Sequence, residues 1–245
     1  MYQDNILNAV SIILVDTKTP ANIGATARCM MNMGLSRLVL VRPPTYESPE
    51  AKKMAADAAG ILDSAEVFSS LEHAIADQSF VLGTSRHSGR LRVNIHTPQE
   101  AARLIIPALS LNKVAIVFGS EVNGLNRRDL SLCHEFITIP SSNIFPSLNL
   151  SHAVMIIAYE LFLSSHEQHL PVARELAQVG MVEDFYRHLK KTLDEIDFLD
   201  HSSFQRMMFS LRQLFGRSRL SQREVCILRG VLSAIDRAVS PARVK

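Results

Sequence analysis

Three short segments of the chain have a composition that could build a ligand site. Each lies at or next to the end of an apolar run and combines small residues with side-chain amides: 22–28 (NIGATAR), 118–125 (FGSEVNGL) and 139–151 (IPSSNIFPSLNLS). Small residues let a ligand approach the backbone, while a few polar groups orient it. The sequence therefore predicts a backbone-lined pocket assembled from all three segments.

Arg28 is the candidate for binding an anionic substrate. It stands among small residues, and a planar guanidinium can hold a phosphate through two parallel hydrogen bonds. The alternative is an ordinary surface arginine on an amphipathic helix. A protonated arginine is too basic to accept a proton. Its role would therefore be positioning and electrostatic, and the proton acceptor stays open.

Three further polar residues could contact a ligand or could cap helices. Glu121 follows an apolar run and precedes the turn signal Asn123-Gly124, so it is either a site carboxylate or the cap of the next helix. Ser147 and Asn149 lie at the start of the last helix predicted for this region and are typical capping residues. Capping and ligand binding are compatible, because a helix N-terminus offers unpaired amides.

A cationic segment follows another predicted strand. Arg86, His87, Arg90 and Arg92 fall within eight residues. This segment either holds substrate phosphates beside the pocket or is a solvated loop.

Apolar, β-branched runs alternate with helical patterns over the first two thirds of the chain. Strands are predicted at 11–15, 38–41, 67–68, 80–83, 114–118 and 136–139, and helices at 23–33, after Pro49, at 71–76 and at 148–163. This alternation predicts an α/β fold with a parallel sheet and helices on both faces. Ligands bind such sheets outside the carboxyl ends of the strands, so the candidate loops should meet at one edge.

A polar stretch broken by Pro171 divides the chain. We expect a catalytic domain over 1–163, a linker over 164–178 and an all-helical extension over 179–245. Helices are predicted there at 181–198, 202–214 and 221–238. In the last helix, apolar residues recur every three or four positions, as on a helix packed against a partner face.

Positive charge is concentrated at the end of the chain. The net charge is only +2, but residues 206–245 hold nine Lys and Arg against two Asp and Glu. Such a segment fits a polyanionic partner, and Arg212, Arg217 and Arg219 are candidate contacts. The alternative is a solvated helix face.

Several function classes are disfavoured. The chain has no Gly-x-Gly-x-x-Gly, Gly-Lys-Ser/Thr or Gly-x-Ser-x-Gly motif, which argues against dinucleotide binding, NTP hydrolysis and serine hydrolysis. Three widely spaced cysteines indicate reduced thiols, and Cys133-His134 has no second ligand pair at zinc spacing. The N-terminus lacks a signal-peptide pattern. We therefore expect a cytoplasmic protein without a metal.

The three segments also resemble a known pattern. NIGATAR, FGSEVNGL and IPSSNIFPSLNLSHA are similar, in order and spacing, to motifs 1, 2 and 3 of the SpoU (TrmH) RNA 2′-O-methyltransferases of the SPOUT class. The resemblance covers about residues 8–163. Beyond it, EDFYRHL at 183–189 and ILRGVL at 227–232 resemble the C-terminal extension of TrmJ-type tRNA methyltransferases.

This resemblance implies an activity: S-adenosylmethionine-dependent methylation of a ribose 2′-hydroxyl in tRNA, at cytidine or uridine 32 of the anticodon loop. It also implies a trefoil knot in the catalytic domain and a homodimer in which the arginine of one subunit completes the site of the other. The alternatives are methylation of another RNA, such as rRNA, and an RNA-binding protein of the same fold without catalysis.

The resemblance also assigns roles to individual residues. The implied catalytic residues are Asn22, Arg28, Glu121, Ser147 and Asn149. The implied cofactor-binding residues are Thr84, Ser85, Arg86, Gly119, Ile139, Pro146, Ser147 and Leu148.

Overall fold

The computed structural model describes residues 6–44, 46–85, 94–167, 174–198 and 204–239. Its strands are β1 Val10–Val15, β2 Arg37–Val41, β3 Glu66–Phe68, β4 Phe80–Thr84, β5 Ile95–His96, β6 Val114–Phe118 and β7 Glu135–Ile137. Its α-helices are α1 Pro20–Asn32, α2 Pro49–Ala55, α3 Ala59–Asp63, α4 Leu71–Ala74, α5 Pro98–Ala108, α6 Arg127–Ser131, α7 Leu150–Ser165, α8 Val179–Glu195, α9 Phe204–Arg217 and α10 Gln222–Val239.

The seven strands form one sheet in the order β3-β2-β1-β6-β4-β7-β5. Every neighbouring pair is parallel, and β1 lies between β2 and β6. Parallel strands require crossover connections, which the helices supply. The predicted parallel α/β sheet is confirmed.

Both faces of the sheet are covered. Successive side chains of a strand point to opposite faces, so Ile12 and Leu14 pack with α1, α2, α5 and α7, while Ile13 and Val15 pack on the side of α4 and α6. Burial on both faces explains why these strands are continuous apolar runs without polar alternation.

Helix α1, which carries the first motif, is fixed at both ends and in its middle. Pro20 occupies the first turn, where a missing N–H costs nothing, and Gly34 adopts a positive φ of 71° just beyond the C-terminus. A Cβ on Gly24 would lie 2.0 Å from the Ala51 carbonyl oxygen. The small residue at 24 therefore serves the contact between α1 and α2, which corrects the expectation that it makes room for a ligand.

The C-terminal helices have a core of their own. Phe185, Tyr186 and Leu189 of α8 pack against Val225 and Leu232 of α10. Phe185 and Tyr186 are therefore core residues. The division into two domains and a linker stays a prediction.

Two predicted boundaries next to the cavity differ from the structure, and one strand was not predicted. The strand expected at 136–139 ends at Ile137, although the Thr138 amide still donates to the His96 carbonyl of β5 at 2.9 Å. The helix expected from 148 begins at Leu150 with Asn149 as its N-cap, and the two-residue edge strand β5 was not predicted. The trefoil knot stays a prediction. Within the described ranges, no helix is long and apolar enough to span a membrane.

Candidate active site at the carboxyl edge of the sheet

A cavity of about 360 Å³ opens at the carboxyl ends of β4, β6 and β7. Its walls include seven of the predicted cofactor-binding residues: Thr84, Ser85, Gly119, Ile139, Pro146, Ser147 and Leu148. The eighth, Arg86, lies outside the described residues, as does the rest of the cationic segment from His87 to Arg92. The cavity volume is in the range of small-molecule sites, and its location is the one predicted for an open parallel sheet.

The loop after β6 folds back tightly on itself. Ser120 and Gly124 form an antiparallel bridge, and Gly124 has a positive φ of 65°. A Cβ on Gly119 would lie 2.1 Å from the Gly124 carbonyl carbon. The loop's own folding therefore demands glycine at 119, and the same glycine exposes backbone to the cavity.

Glu121 binds the start of α1. Its carboxylate accepts hydrogen bonds from the Lys18 amide at 3.0 Å, the Thr19 amide at 3.3 Å and the Asn22 side-chain Nδ2 at 2.8 Å. Burial alone would raise the pKa of Glu121, but these hydrogen bonds bring it below its ordinary value. The alternative, in which Glu121 caps the following helix, is wrong, because Asn126 caps α6.

Asn22 and Asn149 extend this contact into the third motif. Asn149 Nδ2 donates to Asn22 Oδ1 at 2.9 Å, and Asn149 Oδ1 accepts from the amides of Ser151 at 2.9 Å and His152 at 3.4 Å. One polar chain, Glu121–Asn22–Asn149, therefore ties the three motifs together across about a hundred residues or more of sequence. Ser147 does not cap α7. It lines the cavity.

Arg28 lies apart from this cavity. Its side chain is exposed on α1, and it does not line the cavity wall in the part of the chain that the structure describes. Four of the five predicted catalytic residues therefore lie together in or beside one site, and Arg28 does not join them within this subunit.

A charged clamp next to the site was not predicted. Arg42 donates two hydrogen bonds to Asp16, at 2.9 and 3.0 Å, and one to Asp129 at 3.2 Å. Asp16 and Arg42 both have a positive φ, 53° and 51°, directly after β1 and β2. The signal was available: two opposite charges each follow an apolar strand, and parallel pairing of β1 with β2 places them side by side.

This clamp affects its two carboxyl groups in opposite directions. The hydrogen bonds from Arg42 lower the pKa of Asp16, whereas burial raises the pKa of Asp129 despite the same partner. These ion pairs hold the loop that leads from β1 to Lys18 and Thr19. The amides of these two residues donate hydrogen bonds to Glu121.

The cavity suits a ligand with an apolar part and no large negative charge. Its walls are largely backbone and apolar side chains, and Glu121 is the one charged side chain among the described residues that line it. A polyphosphate would find no cation on these walls. A cationic or neutral ligand would be tolerated.

Two of the arginines expected to bind a polyanion are engaged inside the protein. Arg212 pairs with Glu183 and lies over the Tyr186 ring at 4.3 Å. Arg219 pairs with Glu135, which is 1% exposed, at 2.7 Å. The expectation that both are RNA contacts is wrong, because their guanidinium groups are already bound to carboxylates. Arg217 is exposed.

Cys133 and His134 have structural surroundings. Burial raises the pKa of the Cys133 thiol far above its usual range. His134 Nδ1 accepts from the Val81 amide at 3.0 Å, and burial lowers its pKa to about 4. The imidazole is therefore neutral near pH 7 and supports β4.

Known proteins share both the sequence and the architecture. A model of the SpoU rRNA Methylase family matches residues 9–159, and a model of the tRNA methyltransferase TrmJ C-terminal domain matches residues 180–244. The chain is 39% identical over 241 residues to the tRNA (cytidine/uridine/adenosine-2′-O-)-methyltransferase TrmJ of Pseudomonas aeruginosa, covering 93% of this chain and 94% of that protein.

Two further comparisons agree. The tRNA (cytidine/uridine-2′-O-)-methyltransferase TrmJ of Sodalis glossinidius is 37% identical over 242 residues, covering 96% of this chain and 94% of that protein. The crystal structure of TrmJ from Z. mobilis superposes with a TM-score of 0.81 at 33% identity, covering 92% of this chain and 98% of that one. The chain therefore belongs to the SpoU rRNA methylase family, in its TrmJ branch.

Proposed function

We propose that this protein transfers a methyl group from S-adenosylmethionine to the ribose 2′-hydroxyl of cytidine or uridine 32 in tRNA. The observation that carries the proposal is the cavity whose three motif loops are tied by Glu121, Asn22 and Asn149. The names of the Pseudomonas and Sodalis relatives support the reaction and the class of RNA.

The cavity fits the proposed methyl donor. When bound, S-adenosylmethionine supplies a methyl group on a positively charged sulfur. Gly119, Ile139 and Leu148 would hold it against backbone and apolar surface, and Thr84 and Ser147 would orient its polar groups. The walls that the structure describes carry no cation to oppose the sulfonium charge.

The residues of the chain would contribute mainly geometry. Transfer requires the ribose oxygen, the methyl carbon and the sulfur in line, and fixed positions of this kind lower the barrier substantially. Glu121 fixes the start of α1 and Asn149 fixes the start of α7, so the two helices that flank the cavity are held at one separation. Ser147 lies at the cavity wall, where its hydroxyl can bind the substrate.

We infer that Arg28 acts in the site of a second subunit. It is exposed on α1, and apolar side chains on α1 and the adjoining α7 are also exposed: Met31 at 52%, Tyr159 at 48% and Leu163 at 45%. An exposed apolar surface of this kind is typical of a protein interface. A homodimer through α1 and α7 would cover it and would carry Arg28 toward the partner's cavity.

The outer face of α10 supplies the contact with tRNA in this proposal. Arg223, Arg229 and Arg237 are exposed there and form no ion pair with any described residue. Both carboxylates of α10 are engaged elsewhere: Glu224 pairs with Arg174, and Asp236 pairs with His188. The unpaired charges on this face are therefore all positive, which favours phosphate binding.

Methylation of bulk tRNA with a radiolabelled methyl donor tests the proposal. With the wild-type protein we expect label in 2′-O-methylated nucleosides after digestion of the tRNA. The Arg28→Ala variant should incorporate about a hundredfold less label and bind the cofactor with unchanged affinity. Label in a methylated base, or no label in tRNA, would contradict the proposed reaction.

A further inference from the structure

The helical extension contacts the amino edge of the sheet, opposite the cavity. The Val179 amide donates to the Gln78 carbonyl at 2.7 Å, just before β4, and the Asn112 side chain bonds Arg174 and Leu176 just before β6. The cavity lies at the other ends of the same strands. The length of β4 separates the two edges by about 13 Å.

Arg219 is the cation that joins the extension to this edge. Its Nε and Nη2 donate to Glu135 Oε1 at 3.1 and 2.7 Å, and its guanidinium lies 4.5 Å from the centre of the Phe80 ring. Glu135 and Phe80 are each 1% exposed and stand at the first positions of β7 and β4. The extension thus reaches the first residues of two strands through one side chain.

The backbone at Arg219 is unfavourable for an arginine. Its φ is +46°, a left-handed conformation in which glycine and asparagine are preferred and a long side chain is uncommon. Local backbone preference therefore does not explain arginine at this position. Strained positions of this kind persist where the side chain is needed.

Glu135 connects Arg219 to the strands that lead to the wall of the cavity. Its other oxygen, Oε2, lies 2.6 Å from His96 Nε2 on β5. Strands β5 and β7 are joined by hydrogen bonds from Phe136 to Asn94 and from Thr138 to His96. Ile137, two residues after Glu135, lines the cavity.

We propose that Arg219 is a positioning residue for methyl transfer, which fixes the extension relative to β7 so that tRNA held by the extension meets the cavity in one register. The inference rests on the proposed function. A buried ion pair adds little net stability when both partners are present, but its geometry selects one arrangement of the groups it joins. Loss of the Arg219–Glu135 pair should therefore lower turnover and leave binding nearly unchanged.

Arg219→Asn is the direct test, because asparagine tolerates the left-handed backbone and removes the guanidinium. Arg187→Gln is the matched control. It also removes one positive charge and one ion pair from the extension, but its partner Asp184 is on the surface. We expect single-turnover methylation to fall about tenfold to a hundredfold in Arg219→Asn. The affinities for cofactor and tRNA should stay within about threefold of the control.

Glu135→Gln changes the other partner of the same ion pair. It keeps the inference testable if Arg219→Asn does not fold. We expect at least the same loss of turnover, because this change also affects the contact of Glu135 with His96. The double variant should lose no more than Glu135→Gln alone, because both changes break the Arg219–Glu135 pair. Unchanged turnover in a folded Arg219→Asn protein would overturn the inference. So would additive losses in the double variant.

Hydrogen exchange separates this inference from the proposed function. The amides of Phe136 and Val179, which join the strands and the extension, should exchange faster in Arg219→Asn than in the control, whatever RNA is the substrate. Inactivity of the wild-type protein on tRNA would refute the proposed function alone. Unchanged exchange at both amides would refute the positioning role of Arg219.

Discussion

The polar chain from Glu121 through Asn22 to Asn149 is the feature on which the site depends. Each member is bound through both ends of its polar group, so none can turn without losing a contact. Amide and carboxylate side chains recur in the three motifs because these hydrogen bonds require donors and acceptors in alternation. The same residues therefore explain both the fold of the site and its chemistry.

Replacement of Glu121 by glutamine tests the hydrogen-bonded series Glu121–Asn22–Asn149 at its only charged member. The amide would turn an N–H toward the donors of Lys18, Thr19 or Asn22, and we expect unfolding free energy to fall by about 1–2 kcal/mol. Methylation should fall more than tenfold, because the start of α1 loses its anchor. The comparison is Glu175→Gln, a change at an exposed carboxylate, measured by urea unfolding and by turnover. Equal effects of the two changes would contradict this role.

Acid should weaken the protein through the same carboxylates. The folded pKa values of Glu121 and Asp16 lie below the ordinary values of 4.5 and 3.8. Each group therefore adds stability that is fully present above its ordinary pKa and is lost as pH falls through its folded value. We expect urea midpoints to drop below about pH 4.5, and to drop less in Glu121→Gln. An identical pH dependence in both proteins would exclude Glu121 as a contributor.

Among the helices, the close packing of α1 on α2 requires glycine at position 24 of the first motif. Gly24→Ala would place a Cβ 2.0 Å from the Ala51 carbonyl oxygen, and we expect a loss of about 1–3 kcal/mol in thermal or urea unfolding. Gly60→Ala is the matched control, because nothing lies within 4 Å of its added Cβ. If Gly24→Ala were as stable as Gly60→Ala, the packing explanation of this glycine would fail.

Local patterns predicted the elements well where burial alone decides them. Strand β6 coincides with the run 114–118, and α1, expected over 23–33, ends at Asn32, two residues before Gly34. β5 was missed because two residues carry no periodicity, and only pairing with β7 makes them a strand. The strand expected at 136–139 ends at Ile137 and Ile139 lines the cavity, a boundary that the apolar run does not reveal.

Sequence patterns predicted which residues belong to the site, but not which residues contact one another there. The motif loops were placed at one sheet edge, yet the partners of Glu121 lie 99 to 103 residues away. Arg212 and Arg219 looked like free surface cations because their partners Glu183 and Glu135 are distant in sequence. Charge counts cannot separate an arginine that binds RNA from one that holds a carboxylate inside the protein.

At the scale of the whole molecule, the two edges of the sheet have different roles. The carboxyl edge holds the cavity, and the amino edge holds the extension whose outer face is cationic. We expect that replacing Arg223, Arg229 and Arg237 with glutamine weakens tRNA binding and lowers the salt slope by about one per arginine. Cofactor affinity should not change, because the cavity lies at the opposite edge.

The control for this change removes three cations that are already paired. Lys113, Arg128 and Arg187 form surface ion pairs with Asp77, Glu72 and Asp184. Their replacement by glutamine should leave the salt slope near the wild-type value. If the two triple variants had the same salt slope, the outer face of α10 would not be the tRNA contact.

We expect that one ribose hydroxyl of tRNA receives the methyl group in the site formed by the three motifs. The most direct measurement compares two synthetic tRNAs that differ only at nucleotide 32, one with a ribose and one with a 2′-deoxyribose. We expect one methyl group per molecule on the first tRNA, mapped to nucleotide 32, and none on the second. Equal methylation of both molecules would contradict it.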